Sequence, residues 1–120
     1  MANEITFSTS IRATKGNASV NQTANMIASM TGGDMMQSTQ NIGTTAELVS
    51  FADITGAPQL VMIRNLDATN FVELGGDSGL TVFKLKIAAG KACLFTPSSA
   101  TLYAKANTAS VSIITVAVEE

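Results

Sequence analysis

Ser78 stands between Asp77 and Gly79 in the stretch Gly76-Asp77-Ser78-Gly79, a setting in which a nucleophilic serine could work. A serine hydroxyl becomes a nucleophile only when a base takes its proton, ordinarily a histidine held in place by a carboxylate. The chain contains no histidine. Lys84, Lys86 and Lys91 follow closely, and a lysine base is chemically possible. The alternation of 82–87, however, puts Lys84 and Lys86 opposite Phe83 and Leu85, on a solvated face where amines stay protonated. A glycine corner leading into a strand accounts for the same letters. The expectation is a turn, and no catalytic residue.

Metal chemistry has little to draw on. Without histidine or a second cysteine, zinc and most transition-metal sites lack their usual ligands. Asp67, Asn70, Asp77 and Ser78 offer oxygen donors around what reads as one corner, but they do not match the twelve-residue calcium loop with its closing glutamate. Asp and Asn also close turns through their own side chains. No glycine-rich loop runs into a helix with a lysine to cradle phosphate. The scattered carboxylates give no sign of a glycosidase pair. Cys93, the single cysteine, excludes an intrachain disulfide, and its apolar setting "ACLF" reads as a buried, inert thiol. The chain is expected to be no enzyme, with no cofactor and no small-molecule substrate.

Composition narrows the class further. With 120 residues one domain is the natural count. Aromatic residues are 5% and there is no tryptophan, so the core must be aliphatic. Charged residues are 13%, about half the ~25% of ordinary soluble domains, which leaves a surface suited to other protein. The net charge of −2 and the lack of any Lys or Arg between Lys15 and Arg64 argue against nucleic-acid binding, which needs clustered cations. No apolar run approaches the ~18 residues of a membrane span. The opening "MANEITFSTS" lacks the charged start and apolar run of a signal peptide, so synthesis in the cytoplasm is expected.

The elements that must position these residues repeat with period two almost everywhere and never with a sustained period of 3.6. Ile5, Phe7, Thr9 and Ile11 share one face of a first strand. From Val20 to Met30 the even positions read Val, Gln, Ala, Met, Ala, Met, which predicts a long strand, or two joined by a bend. A helix over 26–36 would carry Gly32-Gly33 at a cost of about 2 kcal/mol, so the pair reads as a turn. Further strands are predicted up to about Asn41 and from Thr45 to Phe51. "QLVMIRNL", with its continuous apolar centre, suits a strand covered on both faces, inside a sandwich or at a subunit contact. The alternation of "LTVFKLKI" directs Phe83, Leu85 and Ile87 inward. "KACLF", "TLYAKA" and "SVSIITVAV" complete about nine strands with turn residues between them. The prediction is an all-β, antiparallel β-sandwich of jelly-roll type. It forms a single domain over 1–120, with 1–15 and 24–40 as candidate arm or long loop.

"IRNLDATNFVELGG", "FKLKIAAGKACLF" and "TLYAKANTASVSIITVAVEE" together resemble small structural proteins of tailed bacteriophages. Those chains share an "RNLD-x-TN-[FY]-V-x-[IL]-G" corner, a hairpin like "LKL-x-AGE" and a final "LYA-x-A-x-T" strand pair. The resemblance covers roughly residues 50–118, and Lys91 stands near where an acidic residue often falls in that hairpin. It implies an antiparallel β fold and a place in the virion. On that basis the chain is expected to be a capsid decoration, or cement, protein. It would sit on the head exterior as a homo-oligomer and bridge subunits of the major capsid protein, without nucleic acid or membrane as partner. A head–tail connector, tail or baseplate component is the alternative within the particle. A carbohydrate-binding adsorption module is the alternative of another class, though the chain has one Tyr and no Trp to stack on sugars. The candidate contact residues are Ile5, Phe7 and Ile11 of the first strand, with the methionines Met26, Met30, Met35 and Met36, which either fill core gaps or serve as an adaptable contact surface. Arg64, Asp67 and Asn70 of the corner join them. Arg64 is either paired with an acid across an interface or a solvated rim charge.

Overall fold

The structure, a computed structural model, describes residues 4–120. The described residues form ten strands, all paired antiparallel, and no helix. The expected all-β sandwich is thus the observed architecture, with one strand more than predicted. The chain divides into two compact units, Met1–Gly32 and Gly33–Glu120.

The first unit is a hairpin of two eleven-residue strands, β1 (Ile5–Lys15) and β2 (Ala18–Ala28). Gly16 and Asn17 are the only residues between Lys15 and its partner Ala18. Gly16 adopts a φ of +59°, the positive value that glycine supplies at the first central position of a two-residue hairpin turn. Pairing puts Ile5 opposite Ala28, Phe7 opposite Met26, Ile11 opposite Gln22 and Ala13 opposite Val20. Facing partners share one side of a sheet, so the apolar positions of β1 and all those of β2 but Ile27, which faces Thr6, collect on one face. Thr6, Ser8, Ser10, Arg12 and Thr14 take the other. Ile5 is the one buried residue of the two strands.

The second unit stacks two four-stranded sheets. One has the order β3 (Met35–Ile42), β10 (Val111–Val118), β5 (Leu60–Asn65), β8 (Ala92–Phe95). The other runs β4 (Glu47–Leu48), β9 (Tyr103–Ala106), β6 (Val72–Gly75), β7 (Leu85–Ile87). Ile42, Val61, Ile63, Val111 and Ile113 from the first sheet meet Val72, Leu74, Ile87, Ala104 and Ala106 from the second in one buried cluster. Alternation does the sorting, since every second side chain of a strand points to the same face. The core is aliphatic, as the composition requires. The single tyrosine, Tyr103, lies in β9 between Leu48 and Gly75.

Two local expectations are corrected. The strand predicted over 45–51 is in register only at Glu47–Leu48, with Val49 still donating to the Leu102 carbonyl at 2.8 Å. Beyond it the Gln40 side chain takes over, accepting from Ser50 N at 3.0 Å and donating to Leu48 O at 2.9 Å, and Ala52 turns the chain away at a φ of +52°. In the run 80–87 only Leu85–Ile87 pair. Phe83 stays 37% exposed, and Leu80 is buried in its stead. The turn uses Leu80 at a φ of +55°, which swings that side chain under Gly75. There a Cβ on Gly75 would come within 2.9 Å of Leu80 Cα and 2.8 Å of Phe83 O. In β5 the alternation is kept, Val61, Ile63 and Asn65 being buried and Met62 and Arg64 exposed.

Candidate functional site

Ser78 occupies an exposed turn closed by Leu80 N donating to Asp77 O at 2.9 Å. Asp77 does not orient a base. Its carboxylate accepts from Thr81 N at 2.6 Å, Thr81 Oγ1 at 2.7 Å and Val82 N at 3.0 Å. The Thr81 hydroxyl above all, then the Val82 and Thr81 amides, hold Asp77 below the ordinary carboxylate value. Lys84 reaches Glu73 at 3.5 Å, and the Lys86 ammonium sits 4.3 Å from the centre of the Phe71 ring, a cation–π contact. Both amines are engaged away from Ser78, on the face the alternation predicts.

The oxygen donors grouped in the sequence separate in space. Asp67 and Asn70 precede β6 and Asp77 and Ser78 follow it, so they lie at opposite ends of that strand. Asp67 is itself occupied, accepting from Asn70 N at 2.6 Å and Thr69 N at 3.0 Å. Those two amides, Asn70 first, lower its pKa. Among the described residues no cluster of three His, Cys, Asp or Glu could hold a metal ion.

The corner 64–70 is organised around Asn65, which sequence reading passed over for its neighbours. Asn65 is fully buried. It donates to Asn70 O at 2.9 Å and Ile87 O at 3.0 Å and accepts from Asp67 N at 2.8 Å. One amide thereby ties the end of β5 to the start of β6 and to β7. The signal was present, because Val61, Ile63 and Asn65 share the inward parity of β5. Asn70 continues the network, its side chain accepting from Thr108 Oγ1 at 3.1 Å, while Asn107 accepts from Phe71 N at 2.9 Å. Asp67 and Asn70 shape the corner, and Arg64 stands exposed beside it on the opposite parity.

The apolar contact residues distribute over several places. Phe7 and Met26 face each other on the hairpin, joined on that face by Ile11 at 69% exposure and Val20 at 58%. Ile5 is buried. Met30 lies in the segment between β2 and β3, half-buried. Met35 and Met36 are consecutive in β3, so Met36 packs against the core while Met35 points outward. A depression of about 460 Å³ on the hairpin is lined by Thr6, Phe7, Ser8, Asn25, Met26 and Ile27, none of them titratable. Cys93 leans on the core, where burial pushes its thiol pKa up, away from reactivity.

Comparison with protein-family models, with curated proteins and with solved structures finds no match. What the geometry offers is therefore a set of surfaces: an apolar hairpin face and a sandwich whose charged turns are tied down by their own hydrogen bonds.

Proposed function

We propose that this chain is a structural component of a tailed-phage virion, a capsid decoration protein that bridges and stabilises major capsid subunits on the head exterior. The supporting observation is the hairpin β1–β2. Two strands alone have no second layer, and an isolated hairpin is marginal in water. Yet this one is long, regular and apolar chiefly on one face, with Ile11, Val20 and Met26 exposed there. Such an arm acquires its missing layer from a neighbour, and its open strand edges offer main-chain pairing as well. Modest contacts suffice when many symmetric copies engage together. Sparse charge keeps those contacts insensitive to salt.

The test is to incubate the purified protein with bare expanded heads and to measure bound copies and resistance to heat. Binding in hundreds of copies with a raised disruption temperature is expected, and replacing Ile11 and Val20 by Ser should abolish it. Failure to bind would overturn the reading. A dozen copies or fewer in purified particles would move the protein to the connector, tail or baseplate.

A further inference from the structure

β1 has one edge that no other described strand occupies, since it pairs with β2 alone. Its register with β2 runs one to one over eleven residues without a bulge. There is no proline in it, and no charge from Ile5 to Ile11. Short length, bulges, proline and charge are the devices by which an edge strand ordinarily refuses another strand. The first seven residues of β1 use none of them, and from Ser8 onward every residue of the strand is exposed.

The two-residue turn fixes which main-chain groups face that edge. Its closing pair, Lys15 and Ala18, is hydrogen-bonded, and bonded and unbonded pairs alternate from there. The odd residues of β1 thus point N–H and C=O at β2. Thr6, Ser8, Ser10 and Arg12 point theirs outward, with those of Glu4 just ahead of the strand. Along this edge the chain reads chemically alike in both directions: Glu4-Ile5-Thr6-Phe7-Ser8-Thr9-Ser10-Ile11-Arg12. Laid antiparallel on a copy of itself about Ser8, it sets Ile5 against Ile11, Phe7 against Thr9 and Thr6 against Ser10. Glu4 then falls opposite Arg12 at both ends.

We infer that β1 pairs edge to edge with β1 of a second copy, antiparallel and centred on Ser8, joining two hairpins into one four-stranded sheet. The contact is isologous, and its two-fold axis stands normal to the sheet, so the apolar faces of both hairpins lie on the same side. The outward main-chain groups from Glu4 to Arg12 meet as about ten hydrogen bonds. Charge selects the register. A slip of two residues keeps the faces but moves Glu4 from Arg12 to Ser10 or to Thr14, and a slip of one turns every side chain over. The open edge of β2 carries no charge over Ala18–Ala28, so nothing there sets a comparable register. A hairpin is marginal alone, whereas three or more strands with an apolar face are not. Pairing therefore steadies both arms and doubles the apolar face they present.

This goes beyond the decoration reading and is tested without any shell. Sedimentation of the full chain from micromolar to near-millimolar concentration should show a monomer–dimer equilibrium. Ser8→Pro removes an N–H that faces the open edge and none that bonds β2, so it should leave a monomer with an unchanged circular-dichroism spectrum. Thr23→Pro does the same to the outer edge of β2 and should leave the dimer intact. Glu4→Arg and Arg12→Glu each set like charges opposite one another at both ends, and each should weaken the dimer roughly tenfold or more. Mixed together, those two variants should pair as well as the wild type does. A wild-type protein that stays monomeric overturns the inference. So does a dimer that survives Ser8→Pro, and one lost with Thr23→Pro instead would belong to β2. So does a mixture of the charge variants that fails to pair. A monomer that still binds heads overturns the arm pairing and leaves the decoration role standing, and a dimer that ignores heads does the reverse.

Discussion

The hairpin and the sandwich are written in the same alphabet of alternating apolar and polar residues, and they end up in opposite states. In the sandwich, alternation brings Leu74, Ile63 and Ile113 to full burial. In the hairpin, equally regular alternation leaves Ile11 and Val20 mostly in water. Period two states that a strand has an apolar side. It does not state that the same chain covers it. The sandwich has a second sheet about 10 Å away to close on, and the hairpin, as a unit, has none.

The comparison can be broken or sharpened at several points, of unequal size. Leu74→Ala removes a fully buried side chain from the sandwich and should cost about 3–4 kcal/mol, read as a lowered denaturant midpoint. A cost below ~1 kcal/mol would mean that the body is no better packed than the arm. Asn65→Ala should follow at about 2–3 kcal/mol, because two carbonyls and the Asp67 amide lose their partner. Thr115→Val should act in the other direction. The Thr115 hydroxyl is buried in β10 with no hydrogen-bond partner among the described residues, so its methyl replacement should raise stability by about 1 kcal/mol.

Acid gives a gentler probe. Asp67 and Asp77 are held below their ordinary value of 3.8 in the folded protein, so the native state favours their ionised forms. The stability they contribute is complete above that value and falls away as pH drops through the depressed folded-state values. Asp67→Asn with Asp77→Asn should flatten this acid dependence in a thermal melt, and an unchanged slope would contradict the turn geometry. The smallest effect belongs to the hairpin. Ile11→Ser or Val20→Ser should change the stability of the isolated protein by less than ~0.5 kcal/mol. Amides of β1 and β2 should exchange hydrogen far sooner than those of β5 and β10. Equal protection in both regions would remove the distinction between them.

Much of this was legible beforehand, and the shortfalls have physical causes. The strands from Ile5, Val20 and Leu60 onward, the aliphatic core and the turn at Ser78 all follow from parity and turn chemistry. The two-residue turn at Gly16-Asn17 was also written plainly, as a glycine between two alternating runs. Phe83 defeated parity because Leu80, at positive φ, took the place beneath Gly75 and ended the alternation early. Asp67 and Asn70 looked available because sequence shows a side chain's chemistry but not its local partners. Their hydrogen bonds to Thr69, Asn70 N and Thr108 depend on how the corner closes. Asn65 could have been found, since an amide at inward parity in an apolar strand must be satisfied by buried backbone.

Tyr103, fixed in β9 between Leu48 and Gly75, makes this molecule spectroscopically one-eyed. With no tryptophan in the chain, its phenol is the sole strong source of ultraviolet emission. A fluorescence melt will therefore follow the collapse of the sandwich that holds this one ring.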